Sequence, residues 1–174
     1  SMLYIFFILA FIEWQKIANN KNYFLPGLLF LKISFILTYI LREKFGIDFF
    51  LFLILICIST DVGGYFFGKI LKGPKLTRIS PNKTYAGLIG GYTLAFFASY
   101  LFSNNIDVFF NVFDYKFKDV VVITFLISSI SQIGDIIVSY FKRLTNFKNT
   151  GNIIPGHGGI LDRIDGMIFV IPLI

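Results

Sequence analysis

Ile47-Asp48-Phe49-Phe50-Leu51-Phe52-Leu53-Ile54-Leu55-Ile56-Cys57-Ile58-Ser59-Thr60-Asp61 opens the segment that decides the fold. The segment runs on to Gly68 and is apolar for most of its length. A membrane helix needs about 20 such residues, and this stretch supplies them. Five further segments read the same way: about 2–15, 23–41, 84–103, 119–141, and from Ile164 to Ile174. The first and last are short for a full span, as expected of tilted, partial or truncated terminal helices. The expected fold is all-α: a polytopic integral membrane helical bundle of about six transmembrane segments, forming a single membrane-embedded domain over 1–174.

Composition agrees. Hydrophobic residues make up 56% of the 174, charged residues only 15%, and the mean hydropathy is +0.75. A usual soluble domain is about 25% charged. Disorder is excluded, because disordered chains combine low hydrophobicity with high charge. A disulfide scaffold is excluded, because Cys57 is the only cysteine. A soluble globule would lack the polar residues to cover its surface. Ser1 ahead of Met2 reads as an expression scar.

The net charge of +6 does not point to nucleic acid in such a chain. Lys and Arg mark cytoplasmic loops in membrane proteins. The stretches 69–83 and 142–163, with Lys16 and Lys21, carry eleven basic residues; 42–48 and 104–118 carry four. The two long basic loops are therefore expected on the cytoplasmic side, with the amino terminus outside. A basic surface also suits anionic head groups or phosphorylated substrates.

Glu13, Asp61 and Asp135 lie within or at the ends of apolar segments. Acids in such places face a bundle interior, a partner or a water-filled cavity. Gly63 to Lys69 fits GxxxxGK, but Ile70 stands where a P-loop needs Ser or Thr. Gly64 and Gly68, and Gly87 and Gly91, have the GxxxG spacing of closely packed membrane helices. Ser80-Pro81-Asn82-Lys83-Thr84 enters the fourth segment: Ser80 or Thr84 suits a helix cap, and a helix start beside Lys83 also suits an anion.

The densest polar cluster comes late. Asp135, Ser139 and Lys142 fall on one helix face, with Arg143 beside them. Pro155-Gly156-His157-Gly158-Gly159-Ile160-Leu161-Asp162-Arg163-Ile164-Asp165 follows, with the only histidine of the chain among glycines that let backbone approach a ligand. Asp162 and Asp165 share a face if that stretch is helical. Carboxylates from two segments, with basic residues beside them, are what Mg²⁺ and a polyphosphate require.

These residues carry a resemblance. Ser139-Tyr140-Phe141-Lys142-Arg143, then Lys148, then Gly156 to Asp165 closely resembles the carboxy-terminal signature of the phosphatidate cytidylyltransferases (CDP-diacylglycerol synthases). Asp61 to Gly68 and Ser80 to Thr84 resemble two further stretches of that family, in the right order. The resemblance spans about 61–165 and is loose over 1–45, where Glu13 carries it. Asn149 stands where the signature has Asp after Lys148, and Tyr85-Ala86-Gly87 where the family commonly has Trp-Glu-Gly.

The resemblance implies an enzyme that joins CTP to phosphatidic acid, giving CDP-diacylglycerol and pyrophosphate for phospholipid synthesis. It implies Mg²⁺, with room for a monovalent cation such as K⁺ in a paired-metal site. The expected metal ligands are Asp135, Asp162 and Asp165. Lys142, Arg143 and His157 are expected at the reacting phosphates, His157 to orient or to protonate one. Asp61, Ser80, Asn82, Lys83, Ser139, Lys148 and Arg163 are expected to contact substrate. The bilayer is a partner, nucleic acid is not, and a homodimer is permitted. The expected location is a bacterial inner membrane, with the active site facing the cytoplasm. Two other readings stay open on the residues alone: a CTP-dependent polyprenol or lipid kinase, and a cation- or proton-coupled transporter using Asp61 and Asp135.

Overall fold

The computed structural model describes residues 2–18, 21–77, 79–81, 83–105, 117–145, 147, 150–151 and 158–174. Among them the regular structure is helical: α1 (Met2–Ala18), α2 (Phe24–Leu71), α3 (Tyr85–Asn105), α4 (Phe117–Leu144), α5 (Leu161–Ile164) and α6 (Met167–Leu173). Three helices are long and apolar enough to cross a membrane: α2, α3 over Tyr85–Ser103, and α4. Helices suit this setting because each closes its own backbone hydrogen bonds where no water is available. Large apolar side chains such as Ile33, Val62, Phe97 and Val122 point outward, as they do in lipid. The chain is an integral membrane protein.

The segments expected at 23–41 and 47–68 are two helical lengths that meet at a kink at Gly46 and are taken together as α2. Arg42, Glu43 and Lys44, read above as part of a loop, continue α2, and only Gly46 leaves helical geometry, at φ 81° and ψ 176°. All three charged residues are sound helix formers, so charge alone does not end the helix. At 48 residues, α2 would be about 72 Å long if straight, far beyond a hydrocarbon core of about 30 Å. The break at Gly46 divides it into two lengths that each suit one span.

The chain forms two compact units: 1–41 with 134–174, and 42–133. The first has a core of Ala10, Trp14, Ala18, Leu31, Val138, Leu161 and Ile168. Trp14 anchors it, donating its indole N–H to the Phe24 carbonyl at 3.0 Å and meeting the Phe141 ring edge-on at 5.7 Å. Ser34 Oγ donates to the Ile168 carbonyl at 2.8 Å, fixing α6 against α2.

In the second unit the small residues meet as their spacing predicts. A Cβ at Gly87 would lie 2.6 Å from the Gly64 carbonyl oxygen, and one at Gly91 2.9 Å from that of Thr60. Backbone contact this close requires glycine. A polar seam runs along the same unit. Thr60 Oγ1 bonds Ser128 Oγ at 2.9 Å, Gln132 Nε2 donates to Ser128 Oγ at 3.4 Å, and the Tyr92 and Ser129 hydroxyls pair at 2.8 Å. Thr84 caps α3 by accepting the Gly87 N–H at 3.0 Å, one of the two caps the sequence offered.

Candidate active site

In the first unit the polar residues of α4 come together as their spacing requires. Asp135 and Ser139 are one turn apart, and Ser139 Oγ donates to Asp135 Oδ1 at 3.4 Å. Lys142, one turn further, donates from Nζ to Asp162 Oδ1 at 2.8 Å. Both side chains of this ion pair are largely buried, at 12% and 11% exposure. The other oxygen, Asp162 Oδ2, accepts the Thr150 N–H at 2.8 Å and the Gly159 N–H at 3.0 Å. Burial alone would push the Asp162 carboxyl up. The Lys142 ammonium and the two N–H donors outweigh it and hold the carboxyl below the usual carboxylate range, so Asp162 is ionised near neutral pH.

Asp165 follows Asp162 in the same helical turn, at φ −57° and ψ −37°, as expected. It is 6% exposed and accepts the Gly166 N–H at 2.9 Å. Arg143 and Arg163 are exposed.

Glu13 is the residue whose part the sequence did not reveal. It is 0% exposed. Its carboxylate accepts the Thr150 hydroxyl at 2.9 Å, the Ile160 N–H at 2.9 Å and the Leu161 N–H at 2.8 Å. These partners lie 137 to 148 residues away, so no local pattern could announce them. A Cβ at Gly159 would overlap Glu13 and Thr150, so this glycine of the signature serves a close approach to a side chain.

A cavity of about 220 Å³ lies in the same unit, lined by Trp14, Tyr23, Phe30, Phe141, Leu161 and Phe169 among others. Its lining adjoins Lys142 and Asp162 in sequence, through Phe141 and Leu161. The Tyr23 hydroxyl is buried with no hydrogen-bond partner among the described residues.

In the second unit the 74–84 loop folds on itself, through Leu76 N–H to the Lys83 carbonyl at 2.7 Å and Lys83 N–H to the Ser80 carbonyl at 3.0 Å. Lys83 Nζ donates to the Gln132 carbonyl at 3.2 Å. Asp61 is an exposed residue of α2. Asn82, Lys148 and His157 lie outside the described residues.

A profile described as the cytidylyltransferase family matches residues 1–174. The chain belongs to this family. It is 37% identical over 164 residues to a protein of Brucella suis named phosphatidate cytidylyltransferase, covering 92% of this chain and 57% of that one. Proteins of the same name from Staphylococcus saprophyticus and Staphylococcus epidermidis are 34% and 36% identical, covering 100% and 95% of this chain. The chain spans 57% to 66% of the length of these relatives. The resemblance read from the 61–165 signature is borne out.

For a cytidylyltransferase the question of a divalent ion arises, and the donor set can be tested for it. Among the described residues no three His, Cys, Asp or Glu side chains converge to hold a metal. Asp135 and Asp162 lie in one unit, and an ion that takes one or two carboxylates and completes its shell with substrate phosphates and water needs no third; at Asp162 Oδ1 it would take the place of the Lys142 ammonium.

Proposed function

We propose that the chain carries the catalytic part of a phosphatidate cytidylyltransferase, which transfers the cytidylyl group of CTP to phosphatidic acid and releases pyrophosphate. The observation that carries this reading is the pairing of Asp135 with Ser139 along one face of α4 and of Lys142, on the same face, with Asp162 of α5, in a chain of this family.

The lipid phosphate is an anion near neutral pH and needs no strong base. Its oxygen attacks the α-phosphorus of CTP, a new P–O bond forms, and the bond to the β-phosphate oxygen breaks in line. Such a reaction is accelerated mainly by positioning and charge stabilisation. Lys142, with its ammonium fixed by Asp162, and Arg143 beside it neutralise charge on the leaving pyrophosphate or the lipid phosphate. Asp135 and Asp162 would hold Mg²⁺, with a monovalent cation such as K⁺ as second ion, and these would supply charge neutralisation at the phosphates when bound. Ser80, Lys83 and Asn82 of the second unit's loop, with Asp61, Ser139, Lys148, Arg163 and His157, are proposed substrate contacts. The apolar cavity supports a lipid substrate, because it offers a dry place for an acyl chain beside Lys142 and Asp162 in sequence. The basic loops support a cytoplasmic active site in a bacterial inner membrane. A homodimer remains compatible with this reading.

The test is pyrophosphate release by the purified protein with CTP, phosphatidic acid and Mg²⁺, beside Asp135→Asn. Release that needs all three components and falls at least 100-fold in the variant is expected, as for loss of a group that stabilises developing charge. Release of CDP instead would identify a kinase. Cation flux in liposomes without nucleotide would favour the transporter.

A further inference from the structure

We propose that Glu13 is a positioning residue for Asp162, so that α1 holds in place the turn on which the candidate site depends. Two carboxylates fasten the same two pieces of chain. Glu13 takes the Thr150 hydroxyl together with the Ile160 and Leu161 N–H groups. Asp162 takes the Thr150 N–H together with the Gly159 N–H. Thr150 is thus shared, side chain to one acid and backbone to the other, and so is the turn at 159–161. Neither piece can shift without breaking bonds to both acids.

The arrangement is rigid for physical reasons. Glu13 is wholly buried, and a buried carboxylate that loses its donors is costly, so its three bonds are made together or the site opens. A Cβ at Gly151 would lie 2.7 Å from Glu13 Oε1, which leaves no slack on that side. On α1 the next residue, Trp14, is fixed by its bond to the Phe24 carbonyl and its contact with Phe141, one position before Lys142. The helix that carries Glu13 therefore also packs on α4 at the residue before the lysine that pairs with Asp162. Second-layer groups that orient a ligand commonly matter 10- to 100-fold in activity or metal affinity.

The first readout is amide hydrogen exchange in detergent, without nucleotide or metal, on the wild type, Glu13→Gln and Thr150→Val. In Glu13→Gln the Thr150 and Gly159 amides should exchange about tenfold faster or more, although neither N–H bonds Glu13, while residues 167–173 keep their protection. Faster exchange confined to Ile160 and Leu161 would make Glu13 a local cap and overturn the proposal. If Glu13→Gln does not fold, as judged by Trp14 emission, Thr150→Val decides. It removes the hydroxyl and keeps the backbone bond to Asp162, so Gly159 should still exchange faster; an unchanged Gly159 overturns the proposal.

The second readout rests on the cytidylyltransferase reading. Glu13→Gln, or Thr150→Val in its place, should lower kcat for pyrophosphate release about 10- to 100-fold with KM for CTP within about threefold, because positioning acts on the transition state. An unchanged kcat with loosened Thr150 and Gly159 amides would overturn the role in chemistry. If the wild type releases no pyrophosphate, the proposed activity fails by itself, and the exchange data still judge the positioning.

Discussion

An Asp162→Asn substitution keeps the size of the side chain and removes its charge. The remaining carbonyl oxygen can still accept the Thr150 and Gly159 N–H groups. The new amide nitrogen then faces the Lys142 ammonium, donor against donor, across what was a 2.8 Å bond. Exposed ion pairs contribute about 0–1 kcal/mol, and breaking a fully buried one costs about 3–5 kcal/mol. With side chains 12% and 11% exposed, this pair lies near the buried limit without reaching it. Two of the three bonds survive, so the expected loss is about 2–3 kcal/mol. For a chain of this size that is roughly 4–12 °C in Tm. Trp14 is the only tryptophan and sits in the same unit, so its emission during heating in detergent, with a chelator present, reports on this unit directly. The pH dependence is a second check. The folded-state carboxyl is held below its unfolded value of about 3.9, so its stabilisation is complete above about pH 5 and is lost as pH falls below the unfolded value and through the folded one. The gap between wild type and variant should be constant from about pH 5 to 8 and close below about pH 4. A variant within about 0.5 kcal/mol of wild type at pH 7, or a gap that widens on acidification, would refute the reasoning.

Lys142→Met should lower pyrophosphate release about 100-fold or more, because it removes a cation from the reacting phosphates; near-wild-type turnover would remove Lys142 from the site. Gly87→Val should cost about 1–3 kcal/mol through overlap with the Gly64 carbonyl, read as earlier thermal unfolding in detergent, and no change would mean that the two helices separate without cost. Thr60→Val with Ser128→Ala in a double-mutant cycle should show a coupling of about 0.6 kcal/mol, the usual size of a hydrogen bond between membrane helices; strict additivity would count against the polar seam.

The parts of the molecule legible in the sequence were those with a local pattern. Apolar length gave the helices long enough to cross a membrane, though the structure has three of these against six expected segments; four-residue glycine spacing gave the contact of Gly64 with Gly87, and Thr84 ahead of an apolar run gave a cap. Asp135, Ser139 and Lys142 could be placed on one face because helical spacing is fixed. The pairing of Lys142 with Asp162 was not legible. The resemblance gives each a separate partner, a phosphate and a metal, and only the turn at 159–161 brings them to 2.8 Å. Glu13 was harder still, since its bonds close a loop of well over a hundred residues and two of its three donors are backbone groups without residue identity. Arg42, Glu43 and Lys44 look like a connection, yet they lengthen the first part of α2 as far as the kink at Gly46, because each is at ease in a helix.

The departure of Gly46 from helical geometry also marks a depth. Hydrocarbon does not tolerate peptide groups that have lost their partners, so an exposed helix break such as Gly46, not covered by protein, belongs where water or head groups reach it. Exposed Arg42, Glu43 and Lys44 lie just before that point, and the residues around Gly46 leave open space beside it. Gly46 is thus a waterline on the polypeptide, and spin labels placed outward from it along α2 would gauge bilayer thickness in units of 1.5 Å per residue.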